Sequence, residues 1–276
     1  MLRFDIRRYA TVSSTMDIAR ELAEGGAPEG LVVVADEQTA GRGRSAHAWY
    51  SPPGQSLCAS ILLRPQLTPA QIGWVTMIAA LAVAEEIREI RDSRLEINDD
   101  MRPVSAQSAQ SLISNLQSPI PNLSSPLSVK WFNDIHVDGR KVCGILVESS
   151  ITGDRLDYAV LGIGLNVNTR FDDAPADVRA RATSLREAWN LRAPLDRSEI
   201  LQQILIRFEA RYAHLVMTRI SPAREYAAAL ETLGREVRIQ SGGEIISGLA
   251  ARIEEDGALI VKTAGGDRRV GFGDVI

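Results

Sequence analysis

Gly41-Arg42-Gly43-Arg44 alternates two glycines with two arginines between apolar, strand-like runs. A guanidinium is a planar fork of donors matched to carboxylate and phosphate. Glycine lets the backbone approach a ligand closely or take positive φ. A loop holding both is built to cradle an anion. Two further clusters add chemistry. One reads Val129-Lys130-Trp131-Phe132-Asn133-Asp134-Ile135 and continues as Gly139-Arg140-Lys141-Val142-Cys143-Gly144-Ile145-Leu146-Val147-Glu148. The other is Gly162-Ile163-Gly164-Leu165-Asn166-Val167-Asn168. None is a common nucleotide motif: the arginine loop lacks the Gly-Lys-Ser/Thr ending of a Walker A, and Gly162-Ile163-Gly164 lacks a third glycine and a following helix. Cys143 sits in a β run without a partner histidine and is not a nucleophile.

These clusters need a scaffold, and local signals predict it. Ser13-Ser14-Thr15 offers N-caps for a helix running through Glu24, with Ile18 and Leu22 one turn apart and Gly25-Gly26 as its stop. Residues 31–35 and 56–63 read as buried strands. Thr68-Pro69-Ala70-Gln71 carries a capping-box pattern opening a helix to about residue 90. Asp138-Gly139 is a hairpin signal, and the turn at Thr152-Gly153-Asp154 pairs residues 141–149 with 156–166. Residues 195–215 form a helix, and Ser221-Pro222 opens another that closes near Gly234. Short β runs after that suggest a small barrel of strands. Residues 103–129 contain no charge and are rich in Ser, Gln, Asn and Pro. Residues 95–127 therefore read as a flexible insertion.

Composition bounds the function. The chain has 276 residues, 45% hydrophobic and 24% charged, with a net charge of −4. That is an ordinary globule, and the acidic balance argues against broad nucleic-acid binding. Cys58 and Cys143, the two cysteines, give no disulfide framework and no zinc spacing, which suggests a reduced, cytoplasmic setting. The N-terminus has no signal-peptide h-region, and no stretch reads as a membrane span.

In order, spacing and identity the three clusters resemble the biotin protein ligases, whose loop has the form GRGRxGRxW and whose second cluster has the form KWPND followed by KxxGILVE. The resemblance implies an α+β fold: a mixed-sheet, class II synthetase-like catalytic domain over residues 1–233 and a C-terminal SH3-like β-barrel over residues 234–276. It implies ATP-dependent activation of biotin as biotinyl-5′-AMP, followed by transfer to a lysine of a biotin carboxyl carrier protein. Joining two anions asks for charge neutralisation and alignment more than for covalent catalysis. Carried over by position, the catalytic residues are Lys141, Arg42, Arg44 and Lys130. Biotin would meet Ser14, Thr15, Gln38, Gly41, Arg42, Gly43, Lys141 and Gly144. ATP would meet Arg44, His47, Trp49, Lys130, Asn133, Asp134, Asn166 and Asn168, with Asp134 touching Mg2+ brought by ATP. The expected partner is the carrier protein, with no DNA, no membrane, and a monomer or homodimer. Some relatives carry an N-terminal DNA-binding domain, whereas here the Ser-Thr motif begins at Ser14.

This chain departs from the family at two places. Ala46-His47 replaces a Gly-Arg, leaving His47 to act as a cation only when protonated, and Phe132 replaces a proline. The competing functions are a lipoate–protein ligase, a non-catalytic biotin sensor and an RNA-binding module. Among the bland alternatives, Lys130 and Lys141 would be solvated hairpin lysines, Trp49 and Trp131 core aromatics, and Asn166 a turn former.

Overall fold

The computed structural model describes residues 2–43, 48–99 and 127–276. Side chains are described through Ser93 and again from Leu127. Seven strands form one mixed sheet: β1 (Asp5–Val12), β2 (Leu31–Gln38), β3 (Leu57–Leu63), β4 (Leu127–Lys130), β5 (Asp134–Val137), β6 (Arg140–Thr152) and β7 (Arg155–Leu165). Their order is β1-β2-β3-β7-β6-β5-β4. Only β1 and β2 are parallel; every other neighbour is antiparallel.

Both faces of this sheet are covered in part, which explains the near-continuous apolar runs of β2, β3 and β7. Helix α1 (Thr15–Glu24) lies on one face, where Met16, Ala19 and Ala23 pack with Leu31, Val33, Leu62 and Val160. The opposite face carries Val32, Val34, Ile61, Leu161 and Ile163 into the main core. That core also takes α2 (Gly73–Asp99) and, after the short helices α3 (Ala176–Arg181) and α4 (Leu185–Ala188), α5 (Arg197–Thr218) and α6 (Ala223–Ala229).

The local signals act as read. Ser14 caps α1, accepting from the Met16 N–H at 3.3 Å. Asp138 and Gly139 take positive φ, 50° and 72°, in the β5–β6 turn. Other expectations need correction. The Thr68 signal opens a single 3-10 turn, Pro69–Gln71, with the Gln71 side chain accepting from the Thr68 N–H at 3.0 Å; α2 proper begins at Gly73. Helix α2 then runs to Asp99, so the expected insertion at 95–127 gives up its first five residues to the helix and Leu127 to β4; residues 100–126 lie outside the described part. Residues 69–93 are long and apolar enough to cross a membrane by length and composition, contrary to expectation, but 72% of their most apolar stretch is buried inside the protein, as in a core helix. The helix after Ser221-Pro222 stops at Ala229, short of Gly234.

A second, antiparallel sheet contains β8 (Glu236–Ser241), β9 (Glu244–Ile253), β10 (Leu259–Thr263), β11 (Gly266–Val270) and β12 (Asp274–Val275), in the order β11-β10-β9-β8-β12. Its two end strands are not paired to each other among the described residues, so the sheet is antiparallel as expected, without a closed ring of hydrogen bonds. It seats against the start of α2 and the β4–β5 turn: the indoles of Trp74 and Trp131 donate to the Glu255 and Gly257 carbonyls at 2.6 and 3.0 Å.

Candidate functional site

The sheet face that α1 covers only in part opens into a cavity of about 830 Å³. Its floor is set by register. Gly144 on β6 faces Gly164 on β7, and Gly164 faces Cys58 on β3. Side chains alternate along a strand, so Gly162 lies on the same face two residues away. The Trp49 indole rests on this floor: a Cβ on Gly164 would come within 2.7 Å of it, and one on Gly144 within 3.3 Å. Glycine is required here for close approach.

One end of the cavity is a prearranged polar chain. The Ser60 hydroxyl donates to Thr15 Oγ1 at 2.8 Å, and Thr15 donates from both N and Oγ1 to Gln38 Oε1, at 2.8 and 3.1 Å. Ser14 and Thr15 are both buried. At the other end stands Lys141 on β6. Its Nζ lies 2.7 Å from Asp134 Oδ1 and 5.8 Å from the centre of the Trp49 ring. His136 stands opposite Lys141 in the β5–β6 register, and its burial holds the imidazole below its ordinary pKa. Lys130 also lines the cavity and has no carboxylate in ion-pair range among the described residues. Buried Asn133 donates from Nδ2 to the Ile145 carbonyl. Its Oδ1 is buried in the cavity wall and, among the described residues, has no hydrogen-bond partner.

Arg42 has a more complex position than sequence suggests. Its guanidinium forks onto Asp17 of α1, with both nitrogens at 2.7 Å, and reaches Glu148 of β6 at 3.4 Å. Arg20 completes the cluster at 2.7 Å from Asp17 and 3.7 Å from Glu148. The hydrogen bond between them raises the Arg42 pKa and holds the Asp17 carboxyl below the usual carboxylate range. Arg42 and Ala48 form an antiparallel bridge, and the Trp49 N–H donates to the Gly41 carbonyl at 2.9 Å, so the base of the loop is closed.

Thus the structure brings Ser14, Thr15, Gln38, Arg42, Gly43, Trp49, Lys130, Asn133, Asp134, Lys141, Gly144 and Asn166 together around one cavity. Arg44 and His47 lie outside the described residues. Two expected residues are placed elsewhere. Asn168 spends both amide atoms on Leu195, donating at 2.9 Å and accepting at 2.8 Å, and does not line the cavity. Gly41 packs on Gln38 instead of facing the cavity, with a Cβ there only 2.9 Å from Nε2. Asn166 lines the cavity, but its Nδ2 already donates to the Thr183 carbonyl at 3.2 Å. Of the two motif tryptophans, Trp131 is a core residue and Trp49 is not. Cys143 is buried, which pushes its thiol pKa far up and leaves it inert.

Sequence reading missed Met16, Asp17, Ser60, His136 and Glu148. Glu148 lay within the quoted second cluster but has no local feature that assigns it an arginine partner. Among the described residues no group of three His, Cys, Asp or Glu side chains could hold a metal ion. Asp134 alone, already paired with Lys141, does not make a resident metal site.

Comparison with known proteins agrees with this geometry. Residues 9–166 match the Biotin/lipoate A/B protein ligase family, and residues 232–276 match the Biotin protein ligase C terminal domain. The chain is 32% identical over 271 residues to the bifunctional ligase/repressor BirA of Bacillus subtilis, covering 97% of this chain and 72% of that protein. It is 31% identical over 268 residues to the biotin--[acetyl-CoA-carboxylase] ligase of Mycobacterium tuberculosis, covering 96% and 86%. The biotin protein ligase from Aquifex aeolicus, solved in complex with biotin and ATP, superposes with a TM-score of 0.72 at 26% identity, covering 99% of this chain and 97% of that one. Matching motifs, matching fold and matching sequence over nearly the whole chain place it in the biotin/lipoate protein ligase family, among the biotin protein ligases.

Proposed function

We propose that this protein activates biotin with ATP to biotinyl-5′-AMP and transfers the biotinyl group to a lysine of a biotin carboxyl carrier protein. One observation carries the reading: the Lys141 ammonium stands at the edge of a glycine floor whose far end is the Ser60–Thr15–Gln38 hydrogen-bond chain. With the Trp49 indole moved off Gly144 and Gly164, a flat ring would lie on that floor, with polar atoms at the Thr15 end and a carboxylate at Lys141. The named activities of the relatives support biotin as that acid.

In the first step the biotin carboxylate attacks the α-phosphorus of ATP and pyrophosphate leaves. Two anions must meet, so a preorganised cation contributes most. Lys141 supplies it, and Asp134 holds the ammonium in place until the ligands arrive. Arg42 would neutralise further charge once its fork turns from Asp17 and Glu148 towards the ligand, and Arg44 and His47 belong to the same loop. Lys130 would serve the phosphates. The unpartnered Asn133 Oδ1 favours a ligand donor, because a buried acceptor without one is costly. Asn166 and Trp49 would flank the adenine. Mg2+ would come bound to ATP and would meet Asp134. In the second step the acceptor amine attacks the mixed anhydride and AMP leaves. The division into a catalytic unit, residues 1–233, and a C-terminal unit, residues 234–276, belongs to the same reading, as do their likenesses to a class II synthetase core and an SH3-like fold.

The test is incubation with ATP, Mg2+ and labelled biotin or lipoate, first without and then with a carrier domain. Biotinyl-adenylate should form alone and be consumed when the carrier is added. Formation of lipoyl-adenylate only, or binding of biotin without adenylate, would overturn the proposal in favour of a lipoate ligase or a sensor.

A further inference from the structure

The glycine floor does not end where the ligand space ends. From Lys141 it passes through Gly144, crosses to Gly164, and continues two residues along β7 to Gly162, roughly 7 Å further at the strand rise. Trp49 lies over the first two glycines, and Met16 lies over the third. A Cβ on Gly162 would sit 2.8 Å from Met16 Sδ and 3.1 Å from its Cγ. Met16 is 5% exposed, lines the cavity, and is anchored from behind in the cluster that α1 makes with Leu62 and Val160. Its thioether therefore fills a stretch of floor that would otherwise extend the cavity under α1. Ser60, whose hydroxyl joins the polar chain, pairs with Gly162, so the filled stretch is at the end remote from Lys141.

We infer that Met16, seated on Gly162, is the stop that limits how far an acid can extend beyond the Thr15–Ser60 end, and so sets the size of ring this ligase accepts. The inference rests on the ligase reading, with the carboxylate at Lys141. The physical basis is ordinary pocket discrimination: one methylene too many in a closed apolar site changes kcat/KM by about 10- to 200-fold. Methionine is suited to this role because it is unbranched and fills an irregular gap without a polar atom that needs a partner. Gly162 is its necessary complement, since any side chain there would push the thioether into the ligand space.

The experiment uses the full chain and measures adenylate formation without acceptor. The substrates are biotin and a series of biotin analogues bearing methyl, ethyl or propyl at the ring end remote from the carboxylate. In the unaltered protein kcat/KM should fall steeply at the first added carbon. In Met16→Ala the ratio of kcat/KM for the ethyl analogue to that for biotin should rise about tenfold or more, while Met16→Leu, of similar volume, should keep the original profile. Gly162→Ala tests the same stop from the opposite side: it should raise KM for biotin about tenfold with KM for ATP unchanged, and the double variant Gly162→Ala, Met16→Ala should recover most of that loss. An unchanged ATP KM also reports that the variant has folded. If both Met16 variants keep the original size profile and Gly162→Ala leaves biotin KM unaltered, the stop is elsewhere. If the unaltered protein forms no biotinyl-adenylate at all, the ligase reading itself has failed.

Discussion

Replacing Lys141 by alanine should separate chemistry from folding. The Lys141 ammonium makes, among the described residues, one ion pair, 2.7 Å to Asp134, and its side chain is 33% exposed. A pair that accessible to water contributes about 1 kcal/mol or less to stability. In a domain of this size that corresponds to a Tm change of roughly 2–4 °C. The strand itself is held by Cys143 and Gly144 pairing with Leu165 and Gly164, and by the Thr183 N–H donating to the Lys141 carbonyl at 2.9 Å, none of which needs the side chain. Catalysis should respond very differently. A fixed cation beside a developing anion is worth about 2.7–4 kcal/mol, or a 100- to 1000-fold change in rate. Single-turnover adenylation with labelled biotin and saturating ATP measures the rate, and a thermal melt measures stability. Adenylation within threefold of the unaltered protein would refute the placement of Lys141 at the reacting carboxylate. A fall in Tm of 10 °C or more would show that the lysine is structural and that the rate loss says nothing about chemistry.

Gly164→Ala should displace the Trp49 indole, which lies 2.7 Å from the position of the new Cβ. Weaker biotin binding by calorimetry, by about 1–3 kcal/mol as expected of an overpacked site, checks this. Asp17, whose pKa in the folded chain is depressed by its hydrogen bond from Arg42, contributes stability that is present above the unfolded carboxylate pKa of about 3.9 and is lost as the pH falls through the lower folded value. Melts from pH 6 down to pH 3 should therefore show a smaller acid loss in Asp17→Asn than in the unaltered protein. Replacing residues 100–126 with a short Gly-Ser turn should leave adenylation intact, because loop-closure entropy changes by only about 0.6 kcal/mol per doubling of length; a steep loss confined to the transfer step would instead make the segment an acceptor-docking element.

What could be read from the residues in order was what short-range physics controls. Ser14 caps α1 with an N–H two residues away, and Asp138-Gly139 turns the chain because glycine and aspartate tolerate positive φ. The apolar runs of β2 and β3 announced strands buried on both faces. The motif residues suggested a shared site, and most of those described line one cavity. Tertiary structure alone decided the partners. Arg42 lies 25 residues from Asp17 and 106 from Glu148 in sequence, and only the packing of α1 beside β6 brings those carboxylates to it. The resemblance carried Asn168 to the ATP side with Asn166, yet the chain leaving β7 turns its amide onto Leu195. The glycine floor is the plainest case. Gly144 and Gly164 stand in separate motifs in sequence, and become one surface only because antiparallel register sets them side by side with Trp49 on top. Register, and with it the face each side chain occupies, is fixed by long-range pairing that no local signal encodes.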